Sequence, residues 1–133
     1  MTPVFLDTVG LIATWDKSDQ WNQVATEGYR RIIAERRPVL TTSFVLIECG
    51  NAAAREPYRS AVADLRTLLE ARGRLIAPSP DDWANAWTAY ELGHATKPGI
   101  VDPVSFEIMR RLGITDAFTN DRHFKAFGFN TLF

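Results

Sequence analysis

Three aspartates in this sequence fall at the ends of predicted strands or helices, where a folded chain could bring their carboxylates together. Asp7 directly follows the apolar run 4–6, and Asp121 comes just after a predicted strand at 117–119. Asp102 precedes Pro103 at the predicted start of a helix. Ligands of an open parallel sheet bind beyond the carboxyl ends of its strands, so Asp7 and Asp121 occupy functional positions. Aspartate is also a preferred helix N-cap, and that purely structural interpretation stays open for each of the three.

Glu48 is the fourth acidic candidate, on a helix predicted over 44–55. Phe44, Ile47, Glu48 and Asn51 are spaced so that they share one helix face, which predicts that Glu48 points inward with an apolar stripe. A glutamate on such a stripe is unusual unless it is paired. Asn51 could orient Glu48 or donate to a ligand, and a simple polar helix residue is the alternative.

The chemistry of such a set follows from its charge. Two unit charges about 4 Å apart repel by about 4 kcal/mol at an effective dielectric constant of about 20. The negative charge of four clustered carboxylates must therefore be reduced or neutralised. Either some of the acids are protonated or a divalent cation binds them. Oxygen ligands without cysteine or several histidines favour Mg²⁺, with Mn²⁺ as a possible substitute. A carboxylate Mg²⁺ site is suited to phosphodiester hydrolysis by an activated water.

Composition narrows the classes of protein that fit. The chain has 133 residues, enough for one domain over 1–133 with a real core, and its net charge of −1 gives no global sign of nucleic-acid binding. One cysteine excludes an intramolecular disulfide and a thiolate zinc site, and two histidines exclude a multi-histidine metal site. No apolar run is long enough for a bilayer and no signal-peptide pattern is present, so we expect a cytoplasmic protein without membrane contact.

The elements that would position the acids alternate between β-rich runs and helices. This alternation predicts an α/β fold, a three-layer α/β/α sandwich with a mostly parallel sheet. We predict strands at 4–6, 39–41, 75–77 and 117–119, an edge strand within 127–133, and helices at 9–15, 21–35, 44–55, 57–72, from 80 onward and at 103–112.

The helix that opens at Pro80 carries both a capping signal and an aromatic pattern. Ser79 is the predicted N-cap, and Asp81 and Asp82 then favour the positive helix end, which predicts structural roles for both. Further along, an aromatic-rich set is predicted to pack in the core rather than to stack on bases. This set is Trp83, Trp87, Tyr90 and Leu92.

Basic side chains near the acids are candidates for contacts to substrate phosphate. Arg122 and His123 directly follow Asp121, and His94 and Lys97 lie in a loop that could line a substrate entrance. An arginine cluster within 30–37 favours a solvated helix end, with a phosphate or acidic-protein contact as the alternative. Asp116 precedes the fourth strand and is either a peripheral ligand or a turn residue.

Four short motifs, VFLDT, SFVLIE, VDPVSF and DAFTNDRHF, stand in this order along nearly the whole chain. Together they resemble the PIN domain, most closely the VapC-type toxins of type II toxin–antitoxin systems. The resemblance implies a sheet order of 3-2-1-4-5. It matches Asp7, Glu48, Asp102 and Asp121 to a metal-binding acidic quartet, with Thr8 and Thr119 as supporting hydroxyls. The run 120–123 has one acid where some relatives have two, so the number of metal ions stays open.

The same resemblance implies a Mg²⁺-dependent endoribonuclease toxin that cuts RNA, is neutralised by a cognate antitoxin and forms a homodimer. In this hypothesis Asp7, Asp102 and Asp121 chiefly hold the ion, and Glu48 orients or deprotonates the attacking water. A non-catalytic RNA- or protein-binding module with the same fold is the alternative. A phosphoacceptor signalling domain would need an acceptor aspartate at the end of the third strand, where this chain has Ala77 and Pro78.

Overall fold

The computed structural model describes residues 1–93 and 97–133, and the predicted entrance residue His94 lies outside these ranges. The strands are β1 Val4–Leu6, β2 Val39–Thr42, β3 Leu75–Ile76, β4 Asp116–Phe118 and β5 Asn130–Thr131. The helices are α1 Thr8–Trp15, α2 Asn22–Ala34, α3 Ser43–Ala52, α4 Arg59–Ala71, α5 Pro80–Leu92, α6 Val101–Leu112 and α7 Arg122–Ala126.

The five strands form one parallel sheet in the order β3-β2-β1-β4-β5. All residues of β1 and β2 are buried. Successive strand residues point to opposite faces, so helices must cover both faces of the sheet at these strands. The predicted α/β fold and strand order are confirmed. Among the described residues, no helix is both long and apolar enough to cross a membrane.

The register of the central strands decides what meets at their carboxyl ends. Leu6 pairs with Phe118, so the residues that follow β1 and β4 leave the sheet side by side. The β1–α1 junction and the β4–α7 junction therefore adjoin at one edge. Asp116 starts β4 at the opposite edge, where it pairs with Arg37 at 2.5 Å and accepts a hydrogen bond from Asn130 at 2.9 Å. The geometry therefore gives Asp116 a structural role.

The buried face of α3 differs from the prediction. Val45, Leu46 and Cys49 are buried, whereas Ile47 is 58% exposed and Glu48 is also exposed. The prediction that Glu48 points inward on an apolar stripe is therefore wrong. Apolar residues surround most of this helix in the sequence, so their spacing alone does not identify the inward face.

The aromatic set of α5 is mostly on the surface, which contradicts the predicted packing face. Trp83 is 46% exposed, Tyr90 48% and Leu92 80%, while the buried residues of this helix are Asp82 and Ala86. Aromatic residues at helical spacing share a face, but that face does not have to meet the core.

The capping prediction for α5 is confirmed. Ser79 accepts a hydrogen bond from the backbone N–H of Asp82, and the Asp82 carboxylate accepts one from the backbone N–H of Ser79. Asp82 also accepts hydrogen bonds from Arg111 of α6, at 2.8 Å for the shortest. This pair fastens α5 to α6. The acid at the start of α6 behaves differently, because that helix begins at Val101 and Asp102 lies inside its first turn instead of capping it.

Candidate active site

Asp7 stands at the carboxyl end of β1 with only 2% of its surface exposed. Its carboxylate accepts a hydrogen bond from the Thr119 hydroxyl at 2.8 Å and a longer one from the backbone N–H of Val9 at 3.4 Å. Asp7 is thus the N-cap of α1, as the structural interpretation predicted. Its pKa is raised to about 7 by burial and by the charge of Asp121, against the lowering effect of the hydrogen bond from Thr119. The carboxylate is therefore held where its charge is costly.

A glycine brings α1 close to the sheet at this point. A Cβ atom added to Gly10 would lie 2.1 Å from the carbonyl oxygen of Phe118 and 2.7 Å from its ring. Only glycine permits this approach, because any side chain would overlap the backbone of β4. The start of α1, with Asp7 and Thr8, is therefore fixed against the end of β4.

Thr119 connects the first acid to the last. Its hydroxyl donates to Asp7 and accepts from the backbone N–H of Asp121 at 3.0 Å. Asp121 in turn caps α7 by accepting from the backbone N–H of His123 at 2.9 Å. The capping interpretation of Asp121 is confirmed, and the same geometry brings its carboxylate toward Asp7.

Asp102 reaches this group from the first turn of α6. The Nδ1 atom of His123 lies 3.5 Å from an Asp102 oxygen and 3.0 Å from an Asp121 oxygen. One potential ligand atom from each of these three residues lies within 4.8 Å of the others. The pKa of Asp102 is raised to about 8, first by burial and then by the negative charges of Asp7, Asp121 and Glu48.

Glu48 joins the cluster from α3, although its side chain is not on the buried face. The Thr8 hydroxyl donates to a Glu48 oxygen at 2.6 Å, and Thr8 directly follows Asp7. The supporting positions predicted for Thr8 and Thr119 thus both contact a candidate acid. Asn51 is exposed one turn further along α3, and among the described residues its side chain makes no hydrogen bond to Glu48.

The predicted phosphate contacts lie at different places around the acids. Arg122 is exposed next to Asp121, whereas Lys97 lines a cavity beside α6. His123, predicted only as a phosphate contact, lies against two of the acids. The available signal was its position two residues after a capping aspartate, which brings its backbone and ring onto that carboxylate.

The donor set fits a hard divalent cation. Ligand atoms of Asp102, Asp121 and His123 lie within 4.8 Å of one another. The pKa values of Asp7 and Asp102 are raised to about 7 and about 8, first by burial and then by the charges of neighbouring acids. A dication would offset that repulsion and return both groups to their ionised forms. Mg²⁺ and Mn²⁺ prefer oxygen ligands of this kind.

The comparisons with known proteins agree with this architecture. A profile of the PIN domain matches residues 4–130. The chain belongs to the PIN domain family. Among solved structures, this PIN domain is similar to VapC20 of Mycobacterium tuberculosis, described as a toxin that cleaves the sarcin-ricin loop, with 26% identity, 95% of each chain covered and a TM-score of 0.76. A search of curated protein sequences finds no significant match. The predicted resemblance to VapC-type PIN proteins is confirmed.

Proposed function

We propose that this PIN domain is an endoribonuclease and the toxin of a type II toxin–antitoxin pair. It hydrolyses RNA phosphodiesters with Mg²⁺, for which Mn²⁺ can substitute. The observation that carries the proposal is the grouping of Asp102, Asp121 and His123, whose potential ligand atoms lie within 4.8 Å of one another, with Asp7 and Glu48 near enough for their charges to add to the effect of burial on the pKa of Asp102. The likeness to VapC20, a toxin that cleaves RNA, supports the choice of substrate.

The proposed roles follow from the contacts of each side chain. Asp7, Asp102 and Asp121 would hold the ion. When bound, a divalent ion lowers the pKa of water and stabilises the negative charge that develops on the phosphate. Glu48, held by the Thr8 hydroxyl, would orient the attacking water and accept its proton. Thr119 positions Asp7 and Asp121 relative to each other.

Basic groups beside the acids would bind the phosphates of the RNA. Arg122 is exposed at the start of α7, so its side chain is accessible to an RNA phosphate that approaches from the solvent. The His123 ring lies against two of the acids, with Nδ1 3.0 Å from Asp121 and 3.5 Å from Asp102, and would contact a phosphate held there. Lys97, on the rim of the neighbouring cavity, would contact a phosphate further along the strand.

The test is cleavage of total RNA by the purified protein with Mg²⁺, with Mn²⁺ and with EDTA, followed by sequencing of the new 5′ ends. We expect cleavage that requires the divalent ion and falls by at least about a hundredfold in Asp7→Asn and in Asp102→Asn. Asp81→Asn, an exposed acid in the first turn of α5, is the matched control and should cleave like the wild type. Wild-type rates in Asp102→Asn would refute the assignment.

A binding module without catalysis is the second candidate, and the exposure of Glu48 is what favours it. Calorimetric titration with Mn²⁺ separates the two functions. Binding that is lost in Asp102→Asn supports the enzyme, whereas RNA binding without ion binding or cleavage supports the module. A cognate antitoxin and a second copy of the chain remain proposed partners, supported by the VapC likeness.

A further inference from the structure

A cavity of about 360 Å³ lies beside the acidic cluster, between the end of α5 and the face of α6. Its lining combines three aromatic rings with charged groups of both signs. The residues that matter for its chemistry are Tyr90, Lys97, Phe106, Glu107, Arg110 and Phe127. The cavity is large enough for a planar ring system.

Aromatic rings give this cavity a flat apolar surface. Phe106 and Phe127 are stacked with ring centroids 4.7 Å apart and an interplanar angle of 25°. Phe106 is 1% exposed and is also stacked against Phe129 at 5.4 Å, so it supports the lining from the core and does not itself stack on a ligand, while Phe127 is only partly buried. Tyr90 adds a half-exposed ring from α5 and is supported edge-on by Trp87 at 5.3 Å.

Charged side chains that line the same cavity provide both an acceptor and donors of hydrogen bonds. Glu107 retains 23% side-chain exposure, and its ion pair with Arg110 is long at 3.6 Å, which leaves the carboxylate able to accept further hydrogen bonds. The Arg110 guanidinium lies over the Phe129 ring at 5.5 Å, which fixes its position. Lys97 adds a second cation at the rim.

The cavity and the acidic cluster share one rigid element. Asp102 is in the first turn of α6, and Phe106 and Glu107 follow four and five residues later in the same helix. The helix rise places these residues roughly 6–8 Å further along the axis. A nucleotide next to the bond held at the acids can therefore direct its base into the cavity.

We propose that this cavity binds one unpaired nucleobase next to the scissile phosphate, and that Glu107 favours guanine there. The proposal rests on the proposed ribonuclease function and names the part of the substrate that the site would select. Unpaired RNA bases are recognised by stacking on aromatic rings and by hydrogen bonds to their Watson–Crick edges.

The preference for guanine follows from hydrogen-bond geometry. The Watson–Crick edge of guanine presents two adjacent N–H donors, which a carboxylate accepts together. Adenine and cytosine place an acceptor nitrogen beside their amino group, and uracil places carbonyl oxygens on both sides of its N–H, so each of them repels a carboxylate. The half-exposed ring of Tyr90 would stack on any base, and Glu107 would distinguish among the bases.

The first experiment is cleavage of a random-sequence RNA pool with Mg²⁺, followed by sequencing of both sides of each cut. We expect guanine to be enriched at one position next to the cut in the wild type, and this enrichment to fall at least about tenfold in Glu107→Gln. Glu27→Gln, an exposed glutamate on α2 that does not line the cavity, should keep the wild-type pattern. An unchanged base pattern in Glu107→Gln overturns the proposal and leaves the nuclease function standing.

The second experiment does not depend on cleavage. GMP, AMP, CMP and UMP are titrated in EDTA against the protein while the aromatic ring signals are followed by NMR. We expect GMP to shift the Tyr90 and Phe127 signals and to bind at least about fivefold more tightly than the other three, with binding about tenfold weaker in Tyr90→Ala. If no nucleotide shifts these rings, the cavity is not a base site. If the wild type cuts no RNA, the nuclease proposal fails and this titration alone decides about the cavity.

Discussion

Replacing Asp102 with asparagine should stabilise this protein when no divalent ion is present. The pKa of Asp102 is raised from 3.8 to about 8, first by burial and then by the three neighbouring acids. An acid whose pKa is higher in the folded than in the unfolded state does not affect stability at a pH below its unfolded-state pKa. As the pH rises from there toward the folded-state pKa, the acid lowers the free energy of unfolding by an increasing amount. The wild type should therefore lose stability between about pH 4 and about pH 8, and Asp102→Asn should lose less.

The size of the effect follows from the same shift. A rise of about four pKa units corresponds to about 5 kcal/mol for the fully ionised group. The Asp102 side chain keeps 17% exposure, and water and the protein relax around the charge. We therefore expect a smaller gain in the free energy of unfolding, about 1–3 kcal/mol at pH 8, and less than about 0.5 kcal/mol at pH 4.

Urea unfolding at pH 4, 6 and 8 in EDTA measures this difference. Asp64→Asn provides the control, because Asp64 is an exposed acid of α4 outside the acidic cluster. Saturating Mg²⁺ should then reverse the order at pH 8, since an ion at about 100 times its Kd adds about 2.7 kcal/mol to the protein that binds it. A wild type that is more stable than Asp102→Asn at pH 8 in EDTA would refute the reasoning.

Two further substitutions test the supports of the site. Gly10→Ala should lower the free energy of unfolding by about 1–3 kcal/mol in thermal melts, because the added Cβ overlaps Phe118, while Gly50→Ala, with open space around it, should be neutral or stabilising. Burial opposes ionisation of Asp82, but hydrogen bonds from Arg111 and from the Ser79 cap hold its pKa below 3.8. Asp82→Asn should therefore destabilise the protein by about 1–3 kcal/mol at pH 7 and by less as the pH falls below 4, as measured by chemical unfolding.

Local signals in the sequence predict the sheet and most helix ends. The fully apolar run 4–6 indicates a buried parallel strand, and Ser79 followed by Pro80 marks the start of α5. Asp7 and Asp121 could be placed at strand ends for the same reason. These signals do not predict how each helix is rotated about its axis, and so they do not predict which of its faces is buried. Glu48 and Trp83 were therefore given the wrong orientation, although their helices were predicted.

Part of the site depends on contacts that are distant in sequence. Thr8 contacts Glu48 across 40 positions and Thr119 contacts Asp7 across 112. His123 joins the acids only because the capping turn of α7 folds its ring back onto Asp121. The Thr119–Asp7 contact depends on the pairing of β1 with β4, and the Thr8–Glu48 contact depends on the pairing of β1 with β2. No spacing pattern within a single segment encodes these contacts.

Asp7 and Asp121 are both candidate site residues and helix N-caps, which affects the choice of an inactive variant of the protein. Each side chain also accepts the first hydrogen bond of the helix behind it. Alanine would remove both the proposed metal ligand and the helix cap, whereas asparagine keeps an oxygen that can accept from the N–H and loses only the charge. The asparagine variants are therefore the best choice for co-crystals with uncut RNA, because they should stay folded even when a chelator removes divalent ions.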